Sequence, residues 1–253
     1  MEAALAECGC RCPLTIENDA FLPLRTGAPE GYGIGAAAGS GVCCGIIRPD
    51  GEKYFYGAFT DMGGGIDIAG AVVHAVLRAE DGRGKPTALT AALLEAMGYA
   101  NTVELAHALH REGKSISKRT TDPLLFGCAA QGDPVAVDIV TRFARQLALC
   151  ATNLIRRYRL EKEDTAVVAS GSLFVKTGPL MFDVFRTDVL NVAPRARLIL
   201  ADLPPAIGAV RGALAAAGRG ESEVWDRVRA TAQESGWFVQ DVAARGKERL
   251  GED

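Results

Sequence analysis

The chain has little of what marks the more easily recognised classes of protein. It has no excess of positive charge: 28 Lys and Arg stand against 31 Asp and Glu, a net charge of −3. That balance leaves no electrostatic footprint for nucleic acid or for an anionic membrane surface. No apolar run approaches the roughly 18 residues that a membrane-spanning helix needs. The opening MEAALAECGC lacks both the basic region and the apolar core of a secretion signal. The expectation is a cytoplasmic protein with no nucleic-acid partner and no membrane partner. Aromatic residues are sparse at 6%, and there are 3 histidines. His74, His107 and His110 fall on predicted helices with no carboxylate pattern beside them, which argues against a metal centre there. The 7 cysteines are an odd number in a chain without a secretion signal, so reduced thiols are expected. Cys8, Cys10 and Cys12 alternate instead of keeping the two-residue spacing of zinc knuckles, and read as small residues leading into a strand.

What is present is a globular composition, 48% hydrophobic over 253 residues, enough to bury a substantial core. EAALAEC reads as the end of a helix and LTIEND as a short strand. YGIGAAA, GVCCGII and KYFYGAF then alternate β-formers with glycine turns, and Asp50-Gly51 between the last two is a hairpin signal. From Ile66 the period becomes helical, with Ile68, Val72, Val73, Val76 and Leu77 on one face. TALTAALLEAMG and TVELAHALHREG read as two further helices. The longest predicted element runs from Asp133 to Leu160, with Pro134 at a helix-start position. A buried strand TAVVASGS, a helix from Pro179, a strand ARLILA, a bend DLPP and a small-residue helix AIGAVRGALAAAG follow. No internal repeat or low-complexity linker interrupts the series, which describes one α/β domain.

The glycines after Tyr32 admit two readings. Gly33, Gly35 and Gly39 have the look of a dinucleotide-binding turn, but that turn must open a helix, whose N-terminus receives the pyrophosphate. VCCGII follows instead, β-branched and broken by glycine, so strand, bend and strand are expected. In that setting Gly39-Ser40-Gly41 either presents N–H groups and a hydroxyl to an anion or merely relieves crowding in a hairpin. Asn18-Asp19 is likewise open between a carboxylate at a strand end and a plain turn or helix cap.

IENDAFLPL, IGAAAGSG and TDMGGGIDIAGAVVHAVLRAEDGRGKPTALTAALLEAMG, followed by GCAAQGDPVAVDIVTRFARQLA, VVASGSLF and LPPAIGAVRGALAAAG, resemble successive segments of one family. It is the BadF/BadG/BcrA/BcrD-type ATPase family, on its N-acetylglucosamine and glucosamine kinase branch. The resemblance implies an α/β, actin-like (ribonuclease H-like) lobe: a mixed sheet with flanking helices and a long central helix. It implies ATP and Mg²⁺ as cofactors and a sugar or amino sugar as phosphoryl acceptor. Asp19 would be the catalytic base, with Asn18, Asp61 and Gly63 toward the sugar. Gly39, Ser40 and Gly41 would face the phosphates, and Ser170, Gly171, Ser172 and Gly208 the adenosine side. A carboxylate suits the base because it accepts the hydroxyl proton as the phosphoryl group transfers.

Two departures qualify that implication. The family's Gly-Asp-Glu-Gly-Ser-Gly segment stands here as Thr60-Asp61-Met62-Gly63-Gly64-Gly65, so Asp61 is kept and the glutamate is Met62. No Asp-Gly-Gly-Gly-Thr-type phosphate loop occurs, so a first lobe is expected from a separate N-terminal lobe chain, or the open face is covered by homodimer formation, or the reading frame is a truncated one. The lobe is read as 1–220 and a helical tail packed on it as 221–253. The alternative function is a non-catalytic dimerising or regulatory remnant of the kinase family.

Overall fold

A computed structural model of the chain describes residues 4, 7–9, 12–56, 65–220 and 222–236. Small and β-branched residues on either side of two tight turns build the first half of the sheet: Gly33–Ala38 (β1), Val42–Ile47 (β2) and Lys53–Tyr56 (β3). The β2–β3 turn closes as Asp50-Gly51 demands. Gly51 N–H donates to Arg48 O at 2.9 Å and Gly51 takes φ +87°. Ala166–Ser170 (β4) and Arg197–Leu200 (β5) complete a sheet ordered β3-β2-β1-β4-β5. β2 is antiparallel to both its neighbours, whereas β1, β4 and β5 run parallel.

Side chains alternate across this sheet with period two. Ile34, Ala36, Ala38, Cys44, Ile46, Val167 and Ala169 face the larger core. Ile47, Ala166 and Val168 face a smaller one, completed by Phe21, Leu24 and Ala28 around the short helix Leu22–Gly27 (α1). Gly35 makes room for that helix: a Cβ there would stand 1.9 Å from Ala20 O, so only glycine lets the preceding segment lie against β1.

The larger core is covered by Gly65–Glu80 (α2), Leu89–Met97 (α3), Thr102–His110 (α4), Lys118–Ala130 (α5) and Pro134–Arg157 (α6). Ser172–Lys176 (α7) and Pro179–Val192 (α8) close it after β4. The 24 residues of α6 span roughly 36 Å, and its apolar face is buried from Ala136 to Ile155. Pro205–Ala216 (α9) packs with α1 on the opposite face, and Ser222–Glu234 (α10) follows it.

Asp133 fixes the start of two helices at once. Its Oδ1 accepts from Val135 N–H at 3.0 Å and Ala136 N–H at 2.8 Å, capping α6. Its other oxygen accepts from Ala88 N–H at 2.8 Å at the head of α3, and Thr87 Oγ1 donates to Oδ1 at 2.9 Å. Burial opposes its charge, but these hydrogen bonds outweigh it and hold the carboxyl below its ordinary value. We expect Asp133→Ala to lower unfolding free energy by about 2–4 kcal/mol, read by urea titration at unchanged slope. A depressed folded pKa places that contribution above about pH 4, and it fades as pH falls through the folded value.

The structure differs from the sequence reading in three places. LTIEND is not a strand: 13–18 carries no ladder, and Leu14 and Ile16 are exposed. A helix the sequence reading did not assign, α5, fills 118–130 with Pro123 inside it. The short α7 is likewise additional. Most of EAALAEC, Cys10, the end of KYFYGAF and the tail beyond 236 lie outside the described residues.

Candidate functional site

Because β1, β4 and β5 are parallel, their carboxyl ends emerge side by side, and in open α/β sheets that end is where ligands are held. Three of the segments singled out above leave from it: the turn after β1, the turn after β4, and the approach to α9 after β5.

The turn after β1 is a hairpin, not the opening of a helix. Gly39-Ser40-Gly41 joins Ala38 to Val42, which pair across the ladder, and Gly39 N–H donates to Gly41 O at 2.8 Å. Crowding does not explain its glycines. A Cβ on Gly39 or Gly41 would meet nothing within 4 Å, and neither has positive φ. The turn after β4 is the opposite case. Gly171 takes φ +106° and ψ 162°, and a Cβ there would stand 2.2 Å from Ala38 O. This contact brings Ser170-Gly171-Ser172 against the base of the hairpin turn. Ser172 is exposed, while Ser170 is 2% exposed and its Oγ has no hydrogen-bond partner among the described residues.

Asn18 and Asp19 divide the two roles left open by the sequence. Asn18 is the turn residue: its Oδ1 accepts from Ala20 N–H at 2.9 Å and from the Cys43 thiol at 2.8 Å. Burial and the Asp19 charge push that thiol up to about 11, so it stays a neutral donor. Asp19 is exposed and makes no hydrogen bond or ion pair among the described residues. The segment is tethered one residue earlier. Glu17 pairs with Arg25 at 2.8 Å and with Lys53, hydrogen bonds that outweigh its burial and hold its carboxyl below the ordinary range. Cys43 lies in the second position of β2, so Asp19 stands at the hairpin end of the sheet.

Sequence reasoning missed the residues that α5 brings here. Lys118 opens that helix and its ammonium contacts Ser40 Oγ in the hairpin turn. Asp122, one turn on, is 6% exposed, and its Oδ1 has no partner among the described residues. Burial pushes its carboxyl up, against the opposing pull of Lys176 and Lys118 nearby. No local pattern marks these residues, because their position depends on a crossing of 78 residues.

Gly208 lies in the first turn of α9, where a Cβ would stand 2.2 Å from Leu22 O. It therefore fixes the packing of α9 on α1. Asp61 and Gly63 lie outside the described residues. Among the described residues no group of three or more His, Cys, Asp or Glu side chains is gathered as a metal cage. The donors on this end suit a cation that arrives with phosphate oxygens and needs only one or two carboxylates from protein, as Mg²⁺ does.

Solved structures share this fold. A candidate N-acetylglucosamine kinase from Chromobacterium violaceum superposes over 81% of this chain and 69% of its own, at TM-score 0.54 and 22% identity. Another from Porphyromonas gingivalis covers 76% of this chain and 64% of its own, at TM-score 0.50 and 14% identity. The fold is the actin-like sugar-kinase fold. By sequence, the N-acetylmuramic acid/N-acetylglucosamine kinase of Clostridium acetobutylicum is 24% identical over 217 residues, which are 83% of this chain and 70% of that protein. No protein-family model matches the chain. Its relatives are thus sugar kinases of the N-acetylglucosamine kinase type.

Proposed function

We propose that this chain binds ATP at the carboxyl end of its sheet and transfers the terminal phosphoryl group to an amino sugar of the N-acetylglucosamine or glucosamine type. The observation that carries this reading is the contrast between the two turns. Packing dictates glycine at 171, yet nothing among the described residues dictates glycine at 39 or 41. Open space beside a hairpin is what a phosphate chain needs, and Ser40 adds a hydroxyl to it. Ser170, Gly171, Ser172 and Gly208 line the adenosine side. Asp19 is the base, free of any structural duty among the described residues, with Asn18 beside it toward the sugar. Asp61 and Gly63 complete the sugar side, Asp61 on a hydroxyl or a metal-bound water. Mg²⁺, when bound with ATP, neutralises charge on the phosphates. We assign the chain to the BadF/BadG/BcrA/BcrD-type ATPase family on the resemblance of its collinear segments.

We read residues 1–220 as the lobe and 221–253 as its tail, of which 222–236 are described. In its described part the tail is tied down by Arg229 to Asp202 and by Arg211 stacked 4.7 Å from the Trp225 ring centre. A kinase cleft of this kind closes between two lobes. The one bearing an Asp-Gly-Gly-Gly-Thr-type loop has no counterpart in these 253 residues, so full activity draws on another lobe or on a second copy. Met62 in place of glutamate favours a second reading, a regulatory or dimerising remnant without turnover. An assay of ADP release with Mg²⁺-ATP and a panel of hexosamines separates the two. Sugar-dependent release is expected from the kinase; sugar-independent or absent release, even with a first lobe supplied, overturns it.

A further inference from the structure

The residues that α5 contributes carry an inference that goes beyond the family resemblance and rests on the nucleotide reading just given. α5 is capped by Ser117, whose side chain accepts from Arg119 N–H at 3.1 Å, and this cap sets Lys118 on the first helical position beside the hairpin turn. Among the described residues Lys118 has no carboxylate within ion-pair distance; the one polar group it reaches is Ser40 Oγ. A lysine that meets only a hydroxyl keeps most of its capacity to donate to an anion. Asp122 lies four residues on, on the same helical face. Its carboxyl is buried, its Oδ1 has no partner among the described residues, and the Lys176 and Lys118 charges both act on it. Lys118 and Lys176 both lie within electrostatic range of that carboxylate, and of the two it is Lys118 that reaches the turn. The open space over Gly39 and Gly41 adjoins it.

We propose that Lys118, backed by Asp122, is the cation that receives the terminal phosphates of a polyphosphate chain at this hairpin. On binding, the Lys118 ammonium exchanges Ser40 Oγ for a phosphate oxygen, while the Ser40 hydroxyl turns to donate to the same group. Asp122, held behind, keeps the ammonium directed inward. Lys176, exposed at the end of α7, adds charge without an ion pair among the described residues. A nucleoside triphosphate and an inorganic polyphosphate share this chemistry, and the probes below separate them.

The test is calorimetric titration of the full chain, wild type, Lys118→Ala and Lys118→Arg, with ATP, AMP and inorganic tripolyphosphate. Lys118→Ala is expected to weaken ATP and tripolyphosphate by about tenfold or more, the scale of one charge-assisted hydrogen bond. AMP, which ends before the terminal phosphates, should change less than about twofold, and Lys118→Arg should restore most of the loss. Equal ATP affinity for wild type and Lys118→Ala overturns the inference and leaves the nucleotide reading standing. So does a loss shared equally by AMP, which would mark a structural role. Tripolyphosphate bound through Lys118 with no gain from the adenosine of ATP upholds the inference and overturns the nucleotide reading. Wild-type protein that binds none of the three overturns both.

Discussion

Asp19→Asn is expected to remove phosphoryl transfer while leaving the fold and the proposed nucleotide site intact. The turnover number is expected to fall by about 10²–10⁴-fold, the range for losing a positioned general base. The thermal midpoint should stay where it is. The reason lies in how the Asn18-Asp19 pair is divided. Asn18 Oδ1 holds the turn through Ala20 N–H and the Cys43 thiol, and Glu17 anchors the chain just before it. Asp19 contributes to neither and is exposed, so its exchange for a near-isostere falls within about 0.5 kcal/mol of neutral. Affinity for Mg²⁺-ATP should change less than about threefold, since the phosphate site proposed here is the hairpin rather than Asp19. ADP release and calorimetry on one preparation check both halves. An Asp19→Asn protein that turns over at the wild-type rate would remove Asp19 from the chemistry.

The second large effect is expected at Gly171, and its force comes from comparison with Gly39. At φ +106° and ψ 162° Gly171 occupies backbone space essentially closed to other residues, with Ala38 O only 2.2 Å from the place a Cβ would take. The obstructing atom belongs to the central strand and cannot swing aside. Gly171→Ala should therefore lower unfolding free energy by about 3 kcal/mol or more, read by urea titration. Gly39→Ala adds its methyl to open space, with no positive φ to strain, and should sit within about 0.5 kcal/mol of wild type. Its effect should appear instead as weakened ATP binding, because the methyl occupies the room assigned to phosphate. Gly39→Ala protein that binds ATP as well as wild type would show that the turn is not the phosphate loop.

The parts of the fold written in short-range pattern were legible. Asp50-Gly51 between two apolar runs specified the β2–β3 turn, and VCCGII after Gly41 excluded a helix. Asp133-Pro134 and the apolar period after it marked α6 to within a few residues of its ends. LTIEND misled because alternation also arises in a segment held by side chains: Glu17 is fixed by Arg25 and Lys53, with no strand ladder. α5 was hidden by Pro123 and by Thr120-Thr121, β-branched residues that lower helix propensity and blur the apolar period. Tertiary packing overrode them, with Leu125 and Phe126 buried in the core. The same blindness hid Lys118 and Asp122. The sequence does show Gly39, Gly41 and Gly171 as glycines. It does not show that two of them face open space while the third is wedged against a strand.

The most direct measurement is thermal unfolding of the purified full chain with and without millimolar Mg²⁺-ATP, with AMP as a parallel arm. A ligand that binds only the folded state adds about 2.7 kcal/mol of stability at a hundredfold excess over its dissociation constant. An upward shift with ATP, smaller with AMP, is the expected result and places a working phosphate site on the chain. An unchanged midpoint at saturating Mg²⁺-ATP would contradict the assignment of the hairpin and the Gly171 turn to a nucleotide.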